Sequence, residues 1–332
     1  MPLIVDDDGP VLDSPRLSFR ERLRSGRVVP IVSDEAVFNR MMGGYQPFLA
    51  SYARYVKFNR GEPYSLVGLA KYHKYRPREK PLNDQALKFD YLNYVKNHFY
   101  RLAKAGGVDA DTLEEAAAEM DQVPASAFAN RLGYPRFGGS DDPVLILANL
   151  PFKTILTTSP FTFIEDALRK AGKTPRTEVC RWTKDLKDSI ASQIDDAYKP
   201  HAEQPLVYHL LGLDRYVDSL VLTEDDYLDY LGNLCQGQGN QATDYVPALV
   251  RKTFSDDLIV LGFSLDSWAF RVLYAGLIKR NGKAEDRGVC GIQLPDTEEE
   301  RTLVADYVQR EAKFDVFWGS LEDYARQELN GA

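Results

Sequence analysis

Two adjacent carboxylates, Asp34 and Glu35, follow within two residues of the run Val28-Val29-Pro30-Ile31-Val32. A β-branched stretch of that length, bounded by Gly26 and Ser33, reads as a short buried strand. Carboxylates just beyond a strand sit well in the first turn of a helix, where the backbone dipole favours negative charge. Thr157-Thr158-Ser159 closes a second apolar run, Thr154-Ile155-Leu156. A serine there is a nucleophile only with a base beside it, and the neighbouring sequence supplies none. Ser159-Pro160 therefore reads as a turn into the next helix, with Ser159 as its N-cap. His209 precedes Leu211 by two residues. On a strand the two share a face about 6.6 Å apart, so His209 is the candidate base if the strand end meets a cleft. Its plainer role is a core histidine bonded to backbone.

Other chemistry is less supported. Cys180, Cys235 and Cys290 lie far apart with no Cys-x-x-Cys pair, and His73, His98, His201 and His209 lack metal-ligand spacing, so no metal is expected. Gly237-Gln238-Gly239-Asn240 follows a helical pattern and reads as a helix-ending loop, without the strand that a phosphate loop requires.

The 332 residues suffice for one large domain. A net charge of −8 argues against nucleic acid and anionic membrane as partners. The longest apolar runs, residues 143–150 and 258–263, are core-strand length and too short for a membrane helix. No secretory leader pattern precedes them, and a cytoplasmic location is expected.

Residues 1–17 read as a flexible acidic tail. Aromatic residues then recur at helical intervals through Tyr45, Phe48, Tyr52 and Tyr55, and again through Phe89, Tyr91, Tyr94, Phe99 and Tyr100. Residues 86–105 and 112–123 are expected helices, the second capped by Asp111, and the aromatic stripe is expected core. Residues 41–142 thus form a helical insertion. Strand-like runs resume near residues 154, 177, 205, 258, 288 and 314, most followed by a helical pattern. Alternation of this kind predicts an α/β fold with a mostly parallel sheet, covered on both faces.

Four ordered segments resemble the SIR2-like domains associated with bacterial anti-phage defence. They are Val28 to Val37; Ile155 to Ser159 with Glu165 and Leu168; Val207-Tyr208-His209-Leu210-Leu211-Gly212 followed by Leu220 to Tyr227; and Leu258 to Trp268. Phe317-Trp318-Gly319-Ser320 also fits. The resemblance implies a Rossmann-like domain made of residues 18–40 and 143–330, interrupted by the helical insertion. It also implies a nucleotide cleft lined by Ser33, Asp34, Glu35, Thr158, Ser159, Gly262, Ser264 and Asp266. Asp266 is then the expected cap of the helix carrying Trp268, and Thr223 with Asp226 an approximate capping box.

Three positions depart from the family pattern. Ser33-Asp34-Glu35 replaces a glycine-rich phosphate loop, Ser159 replaces an asparagine, and Leu211 replaces a histidine. Each removes a different part of NAD chemistry. The resemblance with these departures implies a catalytically degenerate domain without a bound cofactor, acting as a binding, scaffold or regulatory component. A protein partner or fused effector domain is expected, and a homo-oligomer is possible by the same resemblance. The alternative is an active NAD glycohydrolase with atypical residues, His209 acting with Asp34 or Glu35 on NAD or ADP-ribose. A deacylase is disfavoured by the missing cysteine-ligated zinc module.

Overall fold

A computed structural model describes residues 18–59, 61, 64–195, 197–236, 244–280, 290–299, 301–302, 307–308 and 312–330. The expected loop at residues 237–240 and the tail at 1–17 lie outside the described residues, as does most of the helix expected after residue 298.

The chain opens with α1 (Phe19–Arg24), β1 (Val28–Val32) and α2 (Asp34–Met41). Six helices follow: α3 (Tyr45–Tyr55), α4 (Leu66–Tyr75), α5 (Asp84–Ala105), α6 (Ala110–Ala118), α7 (Ala125–Arg131) and α8 (Pro143–Asn149). Then come β2 (Thr154–Thr157), α9 (Phe163–Lys170), β3 (Arg176–Val179), α10 (Lys184–Ser189) and β4 (Leu206–His209). The remainder is α11 (Glu224–Gln236), α12 (Ala248–Thr253), β5 (Asp257–Leu261), α13 (Trp268–Leu273), β6 (Cys290–Leu294), β7 (Asp315–Trp318) and α14 (Leu321–Tyr324).

The seven strands form one sheet in the order β3-β4-β2-β1-β5-β6-β7, and every pairing is parallel. This is the expected α/β, Rossmann-like architecture. Both faces are covered, which explains the unbroken apolar runs. Side chains alternate along each strand. Val28 and Val32 join the core shared with α2, α3, α5 and α9, while Val29 and Ile31 face the core beneath α11 to α13.

Helices α3 to α7 bury apolar faces in the same core as the first sheet face, the aromatic side chains coming chiefly from α3 and α5, and Phe38, Phe48, Tyr52 and Phe99 are fully buried there. Polar contacts fasten them further. Asp214, just beyond β4, accepts hydrogen bonds from the backbone N–H and hydroxyl of Ser126 at α7, and the Ser126 hydroxyl accepts from the Thr162 N–H. Lys88 of α5 is 3.1 Å from Asp226 of α11, with both side chains largely buried.

Several local expectations are corrected. The run at residues 143–150 is a helix rather than a strand: Asp142 caps it by accepting from the Val144 N–H, and Pro143 starts it with φ already fixed. The helix expected at residues 112–123 is α6, capped by Asp109 instead of Asp111. Asp109 lies three residues before Thr112, the reach a cap side chain needs to accept the Thr112 N–H.

Candidate functional site

The strand order runs outward from β1 in both directions, through β2 on one side and β5 on the other. Ligands of open parallel sheets bind at the carboxyl ends of strands where the order diverges in this way. A cleft of about 450 Å³ lies there, within the usual range for small-molecule sites. Its lining combines the start of α2, the segments after β2, β4 and β5, and side chains from α3, α5 and α11.

Ser33 is the N-cap of α2, so Asp34 and Glu35 occupy the first turn instead of the cap itself. The Ser33 hydroxyl accepts from the Ala36 N–H at 3.0 Å and donates to the Gly262 carbonyl. The Asp34 N–H donates to the Thr158 hydroxyl at 2.9 Å, and the Val37 N–H donates to the Ser33 carbonyl. Two first-turn amides that would otherwise be available to an anion, those of Asp34 and Ala36, already have protein partners. Gly262 seals this corner. Its φ of +72° suits glycine, and a Cβ there would lie 2.4 Å from the Cβ of Ala36.

Oδ1 of Asp34 is shut off from solvent without a hydrogen-bond partner. Burial pushes the Asp34 carboxyl up to about 8; a hydrogen bond with Ser159 opposes the rise and the charge of Glu35 adds to it. The group is therefore mainly uncharged at neutral pH. Three tyrosines surround it electrostatically. Burial raises Tyr45, Tyr91 and Tyr227 above the ordinary phenol value, and the field of Asp34 raises each further.

Ser159 does not line the cleft and is fully buried. Its N–H donates to the Thr157 hydroxyl, and its own hydroxyl accepts from the Phe161 N–H at 3.3 Å. It therefore closes a turn, as expected, but the cap of α9 is Thr162 and not Ser159, because the helix begins only at Phe163.

His209 is also absent from the lining and fully buried. Its Nδ1 lies 2.7 Å from the Ser159 carbonyl, and its Nε2 lies 2.9 Å from Oε1 of Glu165. Glu165, on α9, is itself fully buried and accepts from the Thr177 hydroxyl at 2.7 Å. Burial alone would lower His209, but the charge and hydrogen bond of Glu165 outweigh it and hold the imidazole above its ordinary value. Burial likewise favours a neutral Glu165, yet His209 keeps it below the usual carboxylate range. Both shifts favour an imidazolium–carboxylate pair. Nδ1 donates to the Ser159 carbonyl and Nε2 is engaged by Glu165, so neither ring nitrogen is free for general-base work. The side chain that meets the cleft beyond β4 is Leu211.

Of the eight cleft residues expected by resemblance, Ser33, Asp34, Glu35, Thr158, Ser264 and Asp266 line it, while Ser159 and Gly262 sit behind it. Asp266 is not the cap of α13. That role falls to Ser267, whose hydroxyl is placed to accept from the Phe270 N–H, and Asp266 pairs with Arg271 at the surface. Thr223 and Asp226 do form a reciprocal cap at the start of α11, each accepting from the other's N–H. The aromatic wall of Tyr45, Tyr91, Tyr227 and Trp268 was not anticipated. Tyr45 and Tyr91 belong to the stripe read as core, and helical spacing does not separate a core-facing ring from a cleft-facing one.

Among the described residues, no group of three or more His, Cys, Asp or Glu side chains converges to hold a metal ion. No described helix is long and apolar enough to cross a membrane. Cys180 is buried beside Tyr208 and Tyr230, and burial pushes its thiol up to about 11, which leaves it a poor nucleophile.

Residues 153–310 match the family model of the SIR2-like domain. No curated protein matches the chain. The matched span runs from just before β2 to past β6, and so includes Ser159, His209, Leu211 and the loop after β5.

Proposed function

We propose, from the premise that this chain carries a SIR2-like domain and so belongs among folds linked to NAD, that it binds through its cleft without hydrolysing NAD. Residues 18–40 and 143–330 form the SIR2-like unit in this reading, with 41–142 as its insertion. The domain serves as a scaffold or regulatory component beside a protein partner or fused effector. Anti-phage defence is the setting implied by the resemblance. The observation that carries this reading is the placement of His209: fully buried, with both ring nitrogens engaged by Ser159 and Glu165, while Leu211 lines the cleft. The occupied amides at the start of α2 support it independently.

The competing NAD glycohydrolase would need His209 to act with Asp34 or Glu35. His209 is instead engaged by Ser159 and Glu165, and neither His209 nor Glu165 lines the cleft. Incubation of the purified chain with millimolar NAD is expected to release no nicotinamide above the buffer rate and to leave the melting temperature unchanged. A ligand present at 100 times its Kd would add about 2.7 kcal/mol of stability, a shift that thermal melts resolve readily. Turnover that disappears in His209→Ala would overturn the proposal.

A further inference from the structure

No Lys, Arg or His appears among the described residues lining the cleft, whereas Asp34, Glu35 and Asp266 all do. A pyrophosphate would find no cation there and would meet the acidic side chains of Asp34 and Glu35. The same lining is rich in π-faces: Tyr45, Tyr64, Tyr91, Tyr227, Phe263 and Trp268. Tyr227 and Trp268 sit with ring centroids 6.1 Å apart and planes tilted by 33°.

Two polar atoms in this lining lack partners. One is Oδ1 of Asp34; the other is the hydroxyl of Tyr91, a residue only 1% exposed. Buried polar groups are normally hydrogen-bonded, so a pair of orphans in one cavity points to a ligand that satisfies both. A carboxylate and a phenol oxygen both accept, and an ammonium group offers three donors. Aromatic faces around such a cation add favourable cation–π attraction.

We propose that the cleft is a recognition site for a small organic ammonium ion with an apolar body and no phosphate, its nitrogen held by Asp34 and Tyr91. This assignment rests on the reading that the cleft binds without hydrolysing NAD. The carboxyl of Asp34 must lose its proton to pair with the cation, so binding strengthens as pH rises toward 8 and releases that proton.

The test is isothermal titration of the full chain with phenethylammonium, 2-phenylethanol and phenylacetate, three probes that share a ring and differ in charge. At pH 8.5 phenethylammonium should bind at least tenfold more tightly than 2-phenylethanol, with phenylacetate weakest. Its affinity should drop by a factor on the order of 50 at pH 6, where only about 1% of Asp34 is ionised. Asp34→Asn should remove most of the affinity and the pH dependence, and Tyr91→Phe, which keeps the ring, should weaken binding severalfold. Equal affinity for the neutral probe would overturn the assignment. So would absence of amine binding by folded wild-type protein at pH 8.5, or an unchanged amine affinity in Asp34→Asn. Nicotinamide release, followed in parallel with NAD, judges the non-hydrolytic reading separately: turnover would sink that reading, while the amine titration decides the ligand class.

Discussion

Replacing Asp34 with asparagine should change how stability depends on pH. In the folded chain the carboxyl keeps its proton up to about pH 8, whereas in the unfolded chain it ionises near the ordinary 3.8. Between those values the folded state holds a proton that the unfolded state releases. Stability must therefore fall as pH rises through this window and level off above about 8. Each tenfold change in proton affinity is worth about 1.36 kcal/mol, so the full window amounts to on the order of 5 kcal/mol. Asparagine has nearly the same shape and cannot ionise. Asp34→Asn should match wild type near pH 4 and exceed it by several kcal/mol at pH 9. Urea unfolding followed by far-ultraviolet circular dichroism at pH 4 to 9 would measure both curves. Groups that titrate in both proteins, His209 included, cancel in the difference. Parallel curves, or a variant less stable at pH 9, would refute the claim that Asp34 is held uncharged beneath the aromatic wall.

Two further substitutions probe the frame around the cleft. Glu165→Gln should destabilise the fold by about 3–5 kcal/mol, because it strands a buried imidazolium. The raised His209 contributes its stability fully below its unfolded value near 6.5 and loses it as pH rises through the folded value, so the deficit measured by denaturant unfolding should be larger at pH 6 than at alkaline pH. Gly262→Ala should cost roughly 2–4 kcal/mol by the same measurement, since it combines a left-handed backbone with a Cβ 2.4 Å from that of Ala36. A melting temperature within a degree of wild type would show that β5 and α2 can separate at this corner.

The sheet was legible because its strands are buried on both faces. β1, apart from Pro30, and β5 after Asp257 consist of β-branched and aliphatic residues, a pattern that needs no partner to be recognised. The same logic failed at residues 143–150, where an equally apolar run is a helix. The deciding signal was Asp142-Pro143, a cap followed by a residue pre-set for the first turn. Caps were misplaced by one or two residues at Asp111 and Asp266 because neighbouring residues, Asp109 and Ser267, carry the same capping chemistry. Only the phase of the helix selects among them, and that phase is set by packing. Six of the eight residues expected at the cleft line it, each within five residues of a strand's carboxyl end. The aromatic wall was not anticipated, since α3 and α5 reach the cleft only through long-range packing. Nor was the His209–Glu165 pair, whose members are 44 residues apart on different elements with no local pattern linking them.

Two of the three departures from the family pattern, the Ser33-Asp34-Glu35 loop and Ser159, are joined by contacts into one structure with His209. Ser33 binds the Gly262 carbonyl and closes the corner between α2 and β5. Asp34, next in sequence, donates its N–H to the hydroxyl of Thr158, the neighbour of Ser159. The carbonyl of Ser159 receives the Nδ1 proton of His209, whose other proton goes to Glu165, and Glu165 is held in turn by Thr177 on β3. A continuous polar chain thus runs from the cleft floor to β3 near the edge of the sheet, and apart from Oε2 of Glu165 and Oδ1 of Asp34 its side-chain atoms are satisfied within it. Buried polar networks of this kind lose more than one bond's worth when a single member is changed. A histidine placed at position 211 would therefore meet a cleft whose phosphate-binding amides are occupied and whose floor carries an uncharged Asp34. In the non-hydrolytic reading, Leu211→His alone is therefore expected to release no nicotinamide from NAD, and turnover in that variant would count against it.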